Sequence, residues 1–352
     1  MVLALLLPAL IACGGTPATP PAAAPAAEEA PAEEAPAAEE AAPAASGEPF
    51  RVAVVMPSST TDLAWSQAMY DALRAIQEEM GGEAAMEISF SESMFNVTDA
   101  AAALRDYATD GNNLVIAHGT QYGTSLFEVA RDFPETSFAW GTAIDTGEAE
   151  GLTNIFAYNA KAAEGGYING VIAALLSQDD VIGIIGPVEA GDAKDYIDGF
   201  ENGVLATKPD ASVQKTYTGS FGDTALAAEA ANVQIEAGAD VLTGSAQQVV
   251  GAIGVAQENN VLWLGTQSSQ ASLAPELVVA TQLYDWSGVV GDMIGKIQSG
   301  ELGGTAYELT LENGGLKIEF NAEYDLPAEV QTAAEEAIQA VQSGEIDPLA
   351  GS

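Results

Sequence analysis

The chain has 352 residues, 48% hydrophobic and 7% aromatic, enough to bury more than one core, so two domains are expected. Fifty-one acidic against ten basic residues give a net charge of −41 at pH 7, a field that disfavours nucleic acid, anionic lipid and polyanionic substrates and suits a neutral or cationic small ligand. The single cysteine, Cys13, excludes within one chain a disulfide framework, a Cys-based zinc site and a two-thiol redox pair.

Residues 2–12 form an apolar run about half the ~20 residues that span a bilayer. It ends at Leu10-Ile11-Ala12-Cys13, which resembles the lipobox of bacterial lipoproteins, where the leader is removed and the cysteine is lipidated. No Lys or Arg precedes Arg51, so the basic segment that usually opens a leader is missing, leaving a truncated leader or a different start. The expectation is a lipoprotein signal peptide at 1–12 and a lipid anchor at Cys13, on the extracytoplasmic face of the cell membrane. Residues 13–49, rich in Pro, Ala and Glu with acidic pairs at 28–29, 33–34 and 39–40, read as a disordered, self-repelling spacer. At ~3.1 Å per residue in a polyproline-like form it would reach on the order of 100 Å.

From residue 50 onward apolar strands alternate with amphipathic helices, as in βαβ units. A buried-type strand at 51–57 precedes a helix with an apolar stripe of Trp65, Ala68, Met69, Ala72, Leu73, Ile76 and Met80. Strands at 86–90, 114–117 and 137–140, with helices at 97–110 and 122–131, complete one doubly wound lobe. A second series opens with a helix at 161–176 and a strand at 181–186. The helix after it presents Ala193, Tyr196, Ile197, Phe200 and Val204 on one face. Strands at 213–217, 241–243, 261–264 and 277–283 and helices at 224–237 and 247–259 follow. A helix at 286–298, a β pair near 307–311 and 317–320, and a helix at 327–342 end the pattern. The lobes are expected at 50–158 with 284–352, and at 159–283.

Parallel sheets bind ligands beyond the carboxyl ends of their strands, which marks the loop 186–192 as a place to look for function. Enzyme motifs are scarce: one histidine, His118, and no GxSxG, HExxH, P-loop or GxGxxG with its acidic partner. No catalytic residue, metal site or cofactor is expected. What recurs is an aromatic or amide group just past a strand: Trp65, Tyr122, Phe221, Gln247-Gln248 and Gln267 with Ser268. Such groups converge on a cleft if two lobes face one another with strand ends inward. Aromatic faces can sandwich a planar ligand, at about 1–3 kcal/mol per stacked base, while amides and hydroxyls bond a neutral one. Trp65 is also in register with its helix's core stripe, so core and site roles both stand for it.

The stretches VIGIIGPVEAGDAKDYIDGFENGVL (181–205), TTDLAWSQAMYDAL (60–73), SFGDTALAAEAANVQIEAGADVL (220–242) and LGTQSSQASLAPELVVATQL (264–283) resemble the basic membrane protein family of bacterial lipoproteins. That family comprises substrate-binding proteins, among them purine nucleoside receptors of ATP-driven importers. The resemblance covers 50–320 in order, and GFENG at 199–203 matches the family's Gly-Phe-Glu-x-Gly. It implies a type I periplasmic-binding-protein fold: two α/β, doubly wound parallel-sheet lobes joined by three crossovers and hinged to close on ligand.

By position, Trp65 stands at the phenylalanine of the family's Asp-x-Ser-Phe-Asn-Gln, with Asp62 and Gln67 at its ends. Phe221 and Asp223 match Ser-Phe-x-Asp, and Glu189 matches the glutamate of Gly-Met-Glu. Ser66 replaces the asparagine, Thr266-Gln267 replaces a Val-Asp whose carboxylate would hold a ribose diol, and Tyr284-Asp285-Trp286 occupy the region of a frequent lysine. The resemblance thus implies ligand contacts at Asp62, Trp65, Ser66, Gln67, Tyr122, Glu189, Phe221, Gln247, Gln267 and Trp286. Trp65 and Phe221 would stack, Asp62, Gln67, Gln247 and Gln267 would hydrogen-bond, and Tyr122 and Trp286 would line or lid the cleft. The expected function is a lipid-anchored solute-binding protein that delivers a neutral, nucleoside-like molecule to ABC permease and ATPase subunits. A sugar or autoinducer receptor, or a sensory or enzymatic surface subunit without a transporter, are the alternatives.

Overall fold

The computed structural model describes residues 47–350; the leader, Cys13 and nearly all of the 13–49 spacer lie outside the described residues. The first series comprises β1 (Phe50–Val55), α1 (Trp65–Met80), β2 (Met86–Ser91), α2 (Val97–Thr109), β3 (Leu114–His118), α3 (Gly123–Asp132), β4 (Ser137–Gly141) and β5 (Ile155–Ala160). Then come α4 (Ala163–Leu176), β6 (Val181–Gly186), α5 (Gly191–Thr207), β7 (Ser212–Tyr217), α6 (Thr224–Glu236), β8 (Val241–Gly244), α7 (Val249–Asn259), β9 (Leu262–Gln267) and β10 (Val278–Tyr284). The chain ends with α8 (Ser287–Gln298), β11 (Ala306–Leu309), β12 (Leu316–Phe320) and α9 (Ala328–Gln342).

Two six-stranded sheets result, ordered β11-β5-β4-β3-β1-β2 and β12-β10-β9-β8-β6-β7. Pairing is parallel throughout, except that β12 runs antiparallel to β10. The central strands are apolar on both faces because helices cover both: Val52, Val54, Ile116, Ile182, Ile184 and Val241 are all buried. The chain crosses between sheets three times, after β5, after β10 and after β11, as expected.

Two expectations change. The run Ile155-Phe156-Ala157-Tyr158 forms β5 in a stretch to which no element was assigned. The β pair expected near 307–311 and 317–320 does not form, because β11 pairs with β5 in the first sheet and β12 with β10 in the second. Residues 284–352 therefore divide between the lobes instead of joining the first one whole: α8 packs on α1, and α9 packs on α4 beside the second sheet. The crossing segments are laced to one another. Lys161 N–H donates to Leu309 C=O at 2.9 Å and Asp285 N–H to Gly315 C=O at 2.8 Å. Leu311 N–H donates to the Glu164 carboxylate at 2.6 Å.

Local chemistry sets the helix ends. Asn96 caps α2 and Asp223 caps α6, each accepting two backbone N–H groups, and α1 stops at Gly81 in the left-handed conformation. Helices α4 and α5 meet backbone to backbone. A Cβ on Gly166, Gly170, Gly199 or Gly203 would lie 2.1–2.3 Å from a carbonyl oxygen of the facing helix. The Gly-Phe-Glu-x-Gly match thus has a packing cause: Gly199 and Gly203 are one turn apart on the face of α5 that touches α4.

Candidate functional site

Loops leaving the carboxyl ends of β1, β2, β3, β4, β6, β7, β8 and β9 converge on a cleft. It is lined by Pro57, Trp65, Phe95, Gly119, Thr120, Gln121, Thr142, Asp192, Ala193, Phe221, Ala246, Gln247 and Gln267. Two direct contacts bridge the lobes beside it. Ser268 Oγ donates to Ala64 C=O at 2.8 Å, and Gln270 Nε2 to Leu63 C=O at 3.4 Å.

Four of the expected residues meet here: Trp65, Phe221, Gln247 and Gln267. Trp65 holds both of the roles left open for it. It packs in the main core, and its indole lies flat on the His118 imidazole, centroids 4.1 Å apart and planes 6° from parallel, which leaves one side for the cleft. Trp65 Nε1–H donates to His118 C=O at 3.1 Å, and His118 Nε2 meets Trp65 C=O at 3.0 Å. A carbonyl only accepts, so Nε2 carries the proton and Nδ1 accepts from the Tyr158 hydroxyl at 2.7 Å. Burial pushes the His118 pKa down to about 3, opposed by its bond to Trp65, so the imidazole is a neutral structural brace. Phe221 is the more available ring, 40% exposed. Gln247 and Gln267 are more than nine-tenths buried, and the Oε1 of each has no hydrogen-bond partner in the protein.

The other six expected residues do not line the cleft. The Asp62 carboxylate accepts the N–H groups of Ala64, Ser66 and Gln67, which occupies it at the start of α1. Ser66 is fully buried and accepts from Ser58 N–H, and Gln67 accepts from Leu63 N–H while facing a neighbouring groove with Asp71 and Lys317. Tyr122 sits in the core of the first lobe with its hydroxyl on Met94 C=O at 2.8 Å. Glu189 is exposed on the β6–α5 loop, away from the lining. Trp286 is wholly buried behind Trp65, edge-on at 5.5 Å, and supports that wall from outside.

Nine of the thirteen lining residues were not among the expected contacts, and Phe95 and Asp192 are the ring and the charge among them. Phe95 follows β2, fits the rule of an aromatic just past a strand, and is 49% exposed. Asp192 lies in the marked loop 186–192 but three residues beyond the acid selected there. It is 9% exposed, receives the Tyr284 hydroxyl at 3.2 Å, and is the one ionisable group among the described lining residues. Burial, helped by Asp195 and opposed by the Tyr284 bond, pushes its pKa up to about 6. Left-handed backbone at non-glycine residues also gathers here: Ala246 at φ +72° and Gln267 at φ +79° line the cleft, and Leu63 and Ser93 lie in its loops. Such conformations cost about 1–3 kcal/mol each and persist where the surroundings hold them, often at ligand sites.

With no cation in its described lining, the cleft suits an uncharged or cationic solute. All ten Lys and Arg side chains are engaged elsewhere, nine with carboxylates and Arg74 with Gln77. Exposed rings beside buried amides match the general make-up of small-molecule pockets.

A purine-binding protein of Brucella abortus is 26% identical over 304 residues, covering 86% of this chain and 84% of its own. A protein of Haloferax volcanii with the provisional name of ABC transporter glucose-binding protein is 24% identical, covering 87% of this chain and 75% of its own. The structure of an ABC transporter solute-binding protein from Conexibacter woesei superimposes with a TM-score of 0.70 at 23% identity, over 85% of this chain and 98% of that one, a likeness of fold. The family model described as Bmp, ABC transporter substrate-binding protein PnrA-like, matches residues 50–346, and the chain belongs to that family.

Proposed function

We propose that the chain is the lipid-anchored receptor of an ABC importer for a neutral, nucleoside-like solute, captured between its two lobes. The carrying observation is the cleft itself. Trp65, Phe95 and Phe221 offer ring surface for a flat heterocycle, and the amides of Gln121, Gln247 and Gln267 offer hydrogen bonds. The absence of cations from its described lining favours a nucleoside over a phosphorylated nucleotide. The purine-binding relative supports the same class. The mechanism is binding and hinge closure on the laced crossing segments, followed by delivery to permease and ATPase subunits. Leu10-Ile11-Ala12-Cys13 supports lipidation of Cys13, which incorporation of a labelled fatty acid in wild type but not Cys13→Ala tests.

A sugar is the second reading, favoured by the relative named for glucose. Thermal shift with purine and pyrimidine nucleosides, free bases and hexoses separates the two. A ligand at 100 times its dissociation constant adds about 2.7 kcal/mol to stability. Trp65→Ala should abolish the shift while the apo protein still melts cooperatively, and an undiminished shift would remove Trp65 from the site.

A further inference from the structure

We propose that Phe95 is a gate at the mouth of the cleft: its ring, carried by the first lobe, seats on Gly222 of the second lobe and swings aside to admit a small solute while the lobes stay closed. The inference goes beyond the reading of the cleft as a solute site and needs that reading only for what passes. Three observations carry it. The lobes meet at this lip: a Cβ on Gly222 would lie 3.2 Å from Cζ and 3.6 Å from Cε2 of Phe95, so the tip of the ring stands over the glycine. The ring rides on a fixed base. Met94 N–H donates to Met56 C=O at 3.0 Å, Met94 C=O accepts the Tyr122 hydroxyl at 2.8 Å, and Asn96 caps α2, so the backbone on both sides of Phe95 is held while its ring is 49% exposed. The seat is fixed as well. Ser220 Oγ accepts the N–H groups of Gly222 and Asp223 at 3.3 and 3.1 Å, and Phe221 C=O accepts from Gln248 N–H at 2.9 Å.

Backbone conformation does not demand a glycine at 222, whose φ lies outside the left-handed region. What a side chain there would remove is the seat of the ring. Another point where the lobes approach is built differently. A Cβ on Gly191 would lie 3.9 Å from Thr142 Oγ1, and that hydroxyl is bonded to Thr120 Oγ1 at 2.5 Å, so a short, tied side chain closes that side. Phe95 can clear the mouth by turning about χ1 with no movement of backbone. Exposed side chains change rotamer in about ps–ns, whereas hinges move in about μs–ms. Entry into the closed cleft is then set by the fraction of time the ring stands aside.

The test reads access to the cleft without a solute. In the full chain carrying Cys13→Ser, Ala193→Cys places the one thiol on the cleft wall, and its rate of alkylation by a small neutral maleimide measures entry. Phe95→Ala removes the gate, and Gly222→Leu fills its seat from a position outside the lining. Each should raise the rate about tenfold over the Ala193→Cys parent, the effect of losing a contact worth about 1.4 kcal/mol. Melting temperatures should stay close to the parent's, since both positions are exposed. An unchanged rate in either variant would overturn the inference, because entry would then follow the hinge alone or the ring would not seat on Gly222. Faster alkylation with a large fall in melting temperature would also overturn it, as loosened lobes and not an opened gate. The reagent is not the solute, so a thermal-shift panel without any nucleoside response would end the nucleoside reading and leave the gate standing.

Discussion

Replacing Gly203 by Ala should destabilise the protein, and replacing Gly254 by Ala should stabilise it. Both glycines lie inside helices, Gly203 in α5 and Gly254 in α7, and alanine is the better helix former by about 1 kcal/mol at either site. They differ in what the added methyl meets. At Gly254 nothing lies within 4 Å, so only the propensity gain remains, about 0.5–1 kcal/mol. At Gly203 the Cβ would lie 2.1 Å from Tyr167 C=O, where a carbon usually stays about 3.3 Å or more from such an oxygen. The obstacle is backbone, so relief means parting α4 from α5 along a seam where Gly166, Gly170 and Gly199 are equally close. Overpacking costs typically about 1–3 kcal/mol, and a clash against rigid backbone belongs at the upper end. Net of the propensity gain, Gly203→Ala should lose about 2 kcal/mol. Urea unfolding at a common slope reads both values as shifts of midpoint in opposite directions. If Gly203→Ala rose in stability as Gly254→Ala does, the helices would not touch as described.

The remaining predictions concern charge. The His118 imidazole, the only one in the chain, should show no protonation by NMR between pH 8 and pH 5, because its pKa is pushed down to about 3; a titration near 6.5 would show that it is solvated. Because the unfolded chain protonates this group below 6.5, its stabilisation is present above that pH and is lost as pH falls toward about 3. Asp192 acts in the opposite sense. Its folded pKa of about 6 exceeds the ordinary 3.8, so the folded state holds its proton more tightly and loses stability as pH rises through that interval. Asp192→Asn should therefore gain on the order of 3 kcal/mol relative to wild type between pH 4 and pH 7.5, and a difference independent of pH would refute this. Finally, a chain of net charge −41 should melt higher as salt rises from about 0.1 M to about 1 M, as the Debye length shrinks from about 10 Å to about 3 Å; a falling melting temperature would show that the paired cations, not acidic repulsion, dominate.

Most of the fold was legible because buried parallel strands are written as uninterrupted apolar runs and helices as stripes. β5 escaped because its run is short and flanked by Asn154 and Asn159, which read as loop. β11 and β12 were read as a hairpin because they are close in sequence, and nothing in their composition records that they belong to different sheets. At the site, the rule of looking past strand ends found Trp65, Phe221, Gln247 and Gln267, and applied evenly it also reaches Phe95. Tyr122 fits the same rule yet gives its hydroxyl to the distant Met94 C=O, and Asp62, expected from the resemblance, is taken by the N–H groups of its own helix start, as carboxylates there readily are. Asp192 could not be told from Glu189 or Asp195 by type in so acidic a stretch. Only burial separates them.

The placement of β11 and β12 has a consequence for how the chain is made. Each is the edge strand of its sheet, and α9, which covers α4, comes later still. A nascent or partly translocated chain that stops at residue 300 carries two bare sheet edges, one on β5 and one on β10, with donors and acceptors open to pairing with another chain. No early half of this protein closes on its own. Both lobes are finished together, by β11, β12 and α9 within residues 306–342.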